Sequence, residues 1–149
     1  MKRLRLAVLV FWIFSAMMVL VACATIPNEK DFLMPPDLKI VAPDPSLPSE
    51  VRGLSGKWGG RWTDPTARTG WVDALLVVEA VEKDKATMVY IHGDTITAKR
   101  NWSRSIIPIS ERDNYIIFEI GRIKFNYNIK KDVIMGSIKT MTITMHRVP

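Results

Sequence analysis

Arg122-Ile123-Lys124-Phe125-Asn126-Tyr127-Asn128-Ile129-Lys130 is the stretch on which the fold reading turns. Ile123, Phe125, Tyr127 and Ile129 alternate with charged or amide side chains, a period of two with one dry and one wet face. That is the signature of a strand in an antiparallel sheet packed on one side. Toward the C-terminus, Met141, Ile143 and Met145 alternate with Thr142, Thr144 and His146 in the same manner. Between them, Val133–Lys139 reads as a strand with a bulge or bend at Gly136. Toward the N-terminus, Tyr115–Ile120 is a β-branched and aromatic run that ends at the turn residue Gly121. Ala86–His92 ends in the same way at Gly93-Asp94.

Asp73–Glu82 fits two periods. Its valines and the Lys83-Asp84-Lys85 turn that follows favour a strand, with a helical face as the alternative. Ser103–Ser110 is a weaker strand, because Pro108 suits only an edge or a bulge. With Lys57–Thr63 included, eight strands follow one another through short connections. The expected fold is all-β, a small antiparallel up-and-down β-barrel of about eight strands. Closure of such a sheet also removes exposed edges.

The chain has 149 residues, 48% hydrophobic and 24% charged, with a net charge of +6. That length suits one domain and a targeting segment. The apolar fraction excludes a disordered chain, and a single cysteine excludes an internal disulfide framework.

Met1 to Arg5 carries three positive charges, and the seventeen residues from Leu6 to Ala22 then hold Ser15 as their only polar side chain. A basic head, an apolar core and a small-residue end form a secretory signal, here expected as an N-terminal signal helix. Seventeen helical residues span about 25 Å, short for a bilayer core of about 30 Å. Leu20-Val21-Ala22-Cys23 resembles the lipobox of bacterial lipoproteins, and it holds the only cysteine in the chain. The resemblance implies that Cys23 carries diacylglycerol on its sulfur and becomes the mature N-terminus. It further implies a membrane partner reached through the lipid anchor, since two or more acyl chains bind stably. Ala24 in place of an Asp implies, in a Gram-negative cell, the outer membrane facing the periplasm.

Ala24 to Glu50 contains six of the nine prolines and a net charge of −3. Proline removes amide donors and fixes φ, so this stretch is expected to be a solvated spacer. The alternative is that Phe32, Leu33 and Met34 pack back on the domain. The expected division is a signal peptide at 1–22, a lipidated Cys and Pro-rich tether at 23–50, and a barrel domain at 51–149. From Val51 onward 16 basic residues face 10 acidic ones, so the basic charge belongs to the domain. In an exported protein that points to envelope lipids or glycans rather than nucleic acid.

Leu54-Ser55-Gly56-Lys57-Trp58-Gly59-Gly60-Arg61-Trp62 places Trp58, Gly60 and Trp62 on one strand face. Gly56-Lys57-Trp58 resembles the Gly-x-Trp that opens the first strand of lipocalins and related calycin barrels. The resemblance implies that Trp58 plugs one barrel end, with Arg147 near the end of the last strand covering its ring. Trp62 reads as core or as a ligand contact. Trp71 and Trp102, set among Arg68, Lys99, Arg100 and Arg104, read as possible ligand contacts or as lids on the barrel end.

No catalytic constellation emerges, and the chain is expected not to be an enzyme. His92 and His146 lack metal-ligand spacing, no phosphate loop or nucleophile elbow is present, and no cofactor motif occurs. Glu79 and Glu82 read as a solvated pair on opposite faces of a strand. The functional expectation is a membrane-anchored binding or accessory barrel for a small apolar ligand or an envelope component such as a glycan. The alternative is a structural or assembly module docking on another envelope protein.

Overall fold

Each segment with apolar–polar alternation forms a strand. The computed structural model describes residues 32–64, 72–94 and 99–149. They carry β1 (Gly56–Trp62), β2 (Val72–Val81), β3 (Lys85–His92), β4 (Asn101–Pro108), β5 (Ser110–Arg112), β6 (Tyr115–Ile120), β7 (Ile123–Asn128), β8 (Val133–Ile138) and β9 (Met141–Arg147). A one-turn helix, α1 (Ser49–Arg52), precedes β1. The nine strands form one antiparallel sheet in the order β4-β3-β2-β1-β9-β8-β7-β6-β5, rolled into a nearly closed barrel. The segment that fitted two periods is a strand, β2 (Val72–Val81).

Nine strands rather than eight result from a single break. β4 and β5 are consecutive pieces of one path, parted only at Ile109, and they pair with β3 and β6 respectively. The path therefore links the two ends of the sheet. Pro108 has no amide to continue the ladder, and the Ile109 amide bonds to the Asp84 carbonyl at 2.9 Å.

The inner face is filled with side chains. Trp58, Leu76, Met88, Phe118 and Phe125 are among the largest fully buried residues, and the Phe118 and Phe125 rings stack with centroids 5.2 Å apart. Gly136 is not a bulge, because β7 and β8 pair in unbroken register through Phe125↔Gly136. Its missing side chain leaves the space that the Phe125 ring occupies. A bulge occurs instead in β2, where the β2–β3 register shifts between Val78 and Ala80. The extra residue, Glu79, lets Val78 and Val81 both join the inner cluster although they are three positions apart. Arg122, Lys124, Thr142 and Thr144 are exposed, whereas Phe125, Tyr127, Ile143 and Met145 on the same hairpins are buried. Apolar inside and polar outside is the reverse of a barrel that crosses a bilayer. Among the described residues no helix is long and apolar enough to cross a membrane either.

The outer face of β2 and β3 departs from that rule. Leu75, Val77, Val89 and Ile91 form a second buried cluster there, with Phe32 buried in it and Met34, Leu38, Trp102 and Val148 packed against it. The expected solvated spacer is therefore corrected over residues 32–41, which lie as a strap on the barrel. The apolar run Leu75-Leu76-Val77-Val78 is buried on both faces, and the outward half needs a cover that the prolines do not prevent. Residues 1–31, with the expected signal and Cys23, lie outside the described residues.

Gly136→Ala is expected to destabilise the protein by about 1–3 kcal/mol through overpacking, because the added Cβ would sit 2.6 Å from Phe125 Cε1 and 2.7 Å from Ile143 Cγ2. Urea unfolding midpoints measure this, with the neighbouring exposed Ser137→Ala as control. Equal small shifts in both variants would remove the packing role of Gly136.

Candidate functional site: a sealed floor and an apolar rim

Strand direction sorts the barrel into two ends. At the end where β1 begins and β9 finishes, Trp58 pairs directly with Arg147. The Arg147 guanidinium carbon lies 4.2 Å from the Trp58 ring centroid. Its Nε and Nη2 donate to Asp132 at 2.7 and 3.0 Å, and Nη1 donates to the Ser55 carbonyl at 3.0 Å. Nη2 also donates to the Gly53 carbonyl. Beneath the cation, the Trp58 indole N–H donates to Leu54 O at 2.9 Å, and Tyr127 meets the ring edge-on at 5.3 Å. The Tyr127 hydroxyl donates to Asp132 at 2.9 Å.

This floor is electrostatically self-contained. The hydrogen bonds from Arg147 hold the Asp132 carboxyl below its ordinary range, and the same bonds hold the guanidinium above its own. Burial, reinforced by the bond to Asp132, pushes the Tyr127 phenol up to about 12, so it remains a donor. Such an arrangement closes the barrel end and offers no group for proton transfer near neutral pH.

The opposite end is lined differently. Ile120 faces Ile123, Ile138 faces Met141 and Trp62 faces Val72 across adjacent strands. Ile120, Ile123, Ile138, Met141 and Val72 are each half-buried against the inner cluster. Below them Trp62 is buried, its indole N–H donating to the Tyr90 hydroxyl at 2.7 Å. Burial pushes the Tyr90 phenol up to about 12. Arg122 and Lys139 stand exposed in the two tight turns of this rim. An ion pair between Arg61 and Asp73, at 2.6 Å, flanks Trp62 and Val72. The result is an apolar ring, half in water, with cations at its margin.

A third cluster sits on the outer wall beneath the strap. Arg104 donates to both Asp37 oxygens at 2.8 and 3.0 Å, and to Glu79 Oε1 at 3.0 Å. Its Nε lies 2.8 Å from Glu79 Oε2 as an ion-pair contact, out of line for a hydrogen bond. The Lys39 and Val41 amides bond to the Glu79 carboxylate and carbonyl at 3.2 and 2.7 Å. The reading of Glu79 as solvated is corrected: the bulge turns it outward into this clamp, and it is only 7% exposed. Glu82 pairs separately with Lys85 at 3.2 Å. The two carboxylates do not meet.

The predicted site residues thus divide among three places. Trp58 and Arg147 form the floor, and Trp62 lies under the rim. Trp102 packs on the outer wall with the Arg104 guanidinium 5.9 Å from its ring, away from the rim interior. Trp71 and Cys23 lie outside the described residues. His92 donates from Nδ1 to the Gly93 carbonyl at 2.9 Å, and His146 is exposed on β9. Among the described residues no group of three His, Cys, Asp or Glu is placed to hold a metal. A concavity of about 350 Å³ on the outer wall is bordered by Arg112, Tyr115, Asn126 and Met135.

Two features carried different signals in the sequence. Glu79 within Leu75-Leu76-Val77-Val78-Glu79-Ala80-Val81 is a charge inside a buried run, which requires a partner. Asp132 follows two lysines in a turn and carried no such signal. Neither a family model, nor a curated protein, nor a solved structure matches this chain.

The floor predicts a pH effect with a defined sign. Asp132 has its carboxyl lowered on folding, from about 3.9 in an unfolded chain. Its contribution is complete above that value and is lost as the pH falls through the lower folded-state pKa. Urea midpoints measured from about pH 6 down to about pH 2 should therefore fall more steeply for the native protein than for Asp132→Asn, which starts lower at neutral pH. Parallel pH profiles would show that Asp132 does not stabilise the floor.

Proposed function

We propose that this chain is a lipid-anchored protein of the bacterial envelope, a non-catalytic barrel that takes a small apolar ligand at its rim. The observation that carries the binding reading is the contrast between the two ends. One end is sealed by Trp58 and Arg147, and the other presents the half-buried pairs Ile120–Ile123 and Ile138–Met141 to water. Half-exposed apolar pairs gain on covering by a ligand, at about 25 cal/mol per Å² of apolar surface removed from water. Arg122 and Lys139 at the margin suit a ligand whose polar end is anionic.

The anchoring reading rests on the signal-like N-terminus and on Leu20-Val21-Ala22-Cys23. Under it, Cys23 holds the protein on the membrane, on the periplasmic side of the outer membrane if the cell is Gram-negative. No catalysis is assigned: the carboxylates considered for it are engaged, Glu79 by Arg104 and Glu82 by Lys85. A second reading is an assembly module that docks on another envelope protein. It is favoured by the side-chain-filled interior, where Phe118 and Phe125 stack in the space a deep ligand pocket would need.

Native mass spectrometry separates the two. The chain from residue 24 onward, exported without lipidation and purified from envelope extract, is expected to carry a small apolar adduct. A clean apo mass, with crosslinking to one envelope protein, would overturn ligand binding in favour of docking.

A further inference from the structure

The strap changes what the spacer can do. A free chain of 24–50 would hold the barrel far from its anchor, but residues 32–41 are pinned to the outer wall by Phe32 and by the Asp37–Arg104–Glu79 clamp. Cys23 and Phe32 are nine residues apart. At ~3.3–3.6 Å per residue, nine residues reach no more than about 32 Å even when fully extended. That is comparable to the length of the barrel itself, since a ten-residue strand such as β2 spans about 33 Å. A lipid on Cys23 therefore keeps the strap side of the barrel near the bilayer.

The same side holds four of the five exposed large hydrophobics among the described residues. The large hydrophobics exposed among the described residues are Leu33 at 51%, Ile40 at 39%, Val41 at 50%, Ile106 at 68% and Met135 at 37%. The first three belong to the strap. Ile106 lies on β4 on the same face as Arg104, two residues away, and pairs with Thr87. Val41 is held to the Glu79 carbonyl beside the same clamp. Trp102 is half-buried two residues before Arg104, whose guanidinium lies 5.9 Å from its ring. The charges on this face balance: Arg104 is shared by Asp37 and Glu79, and Lys39, exposed next to Leu38, supplies the second cation. Met135, by contrast, is on β8, across the barrel.

We propose that the strap face, through Leu33, Ile40, Val41 and Ile106, docks on the lipid surface to which Cys23 is anchored. The proposal rests on the lipid-anchor reading of Cys23. Aliphatic side chains with a nearby tryptophan partition into the headgroup boundary, and a short leash supplies the high local concentration that makes a weak surface contact persist. The barrel then lies on its side against the bilayer rather than standing off on an extended stalk.

The test uses the full lipidated chain in vesicles of phosphatidylethanolamine and phosphatidylglycerol containing doxyl-labelled lipid. Acylation consumes the Cys23 thiol, so Ile106→Cys and Met135→Cys each offer one free thiol for an environment-sensitive fluorophore. Both sites are exposed, and folding of each variant is checked by circular dichroism. The label at 106 is expected to be blue-shifted and quenched several-fold more strongly than the label at 135. Equal quenching at the two sites, in a chain whose intact mass shows the acyl groups, would overturn the docking alone. A chain whose mass lacks acyl groups, and whose Cys23 takes the label, would overturn the anchor and the docking with it.

Discussion

The Arg147 guanidinium sits 4.2 Å over the Trp58 indole while binding Asp132 and the carbonyls of Ser55 and Gly53. One cation therefore joins the end of β9, the start of β1, the turn after β7 and the segment that follows α1. The cation–π contact contributes about 0.5–2 kcal/mol, and the solvent-screened Arg147–Asp132 pair about 0–1 kcal/mol. Their structural consequence is larger than those figures suggest. Trp58 is an inner residue of β1, the strand that pairs with both β2 and β9 next to the centre of the sheet order. Once its ring is fixed, the floor is closed and the inner layers above it stack toward the rim. Phe125 over Gly136 and Phe118 against Phe125 fill the middle. The apolar layer left to face water is the ring at the far end.

The outer wall follows from a second constraint. β2 carries apolar side chains on both faces, so half of its hydrophobic surface points away from the barrel interior. The strap covers that half with Phe32, Met34 and Leu38, and the β2 bulge supplies the carboxylate that holds it. A charge such as that of Glu79 in so buried a position requires a counter-charge and hydrogen bonds, and Arg104 with the Lys39 amide supplies them. Pro35 and Pro36 set a turn within the strap, where the Leu38 amide bonds to the Pro35 carbonyl at 3.3 Å. What reads as a spacer is in part a fourth side of the packed domain.

Much of this was legible in the residues. Strict alternation in β7 and β9, with turn residues between, specifies antiparallel neighbours, because a period-two pattern has a single dry face. The Trp58–Arg147 juxtaposition was expected from the resemblance of Gly56-Lys57-Trp58 to the opening of calycin barrels, and β1 and β9 pair directly at these two residues. Three features were not legible, each for a physical reason. The role of Gly136 depends on the ring of Phe125 in the neighbouring strand, and a lone glycine in a strand reads equally as a bend. The bulge at Glu79 converts a residue expected in solvent into a buried clamp, and period counting does not register one extra residue. The strap depends on a hydrophobic surface that exists only after β2 and β3 have paired, so proline content alone argues for a solvated chain. The rim was only half legible: Ile120, Ile123, Ile138 and Met141 are recognisable as inward-facing, but their place at the end opposite Trp58 requires the barrel.

If the rim binds a ligand and the Trp58 floor does not, the two barrel ends will respond differently to an apolar anion. Methyl and indole NMR signals recorded with a doxyl-labelled fatty acid test it directly. The paramagnetic label should broaden the methyl signals of Ile120, Ile123, Ile138 and Met141, while the Trp58 indole N–H and the Met145 methyl stay sharp. Broadening centred on Trp58 and Met145, or no broadening at the rim at saturating fatty acid, would contradict the sealed floor and the apolar rim as the basis of binding.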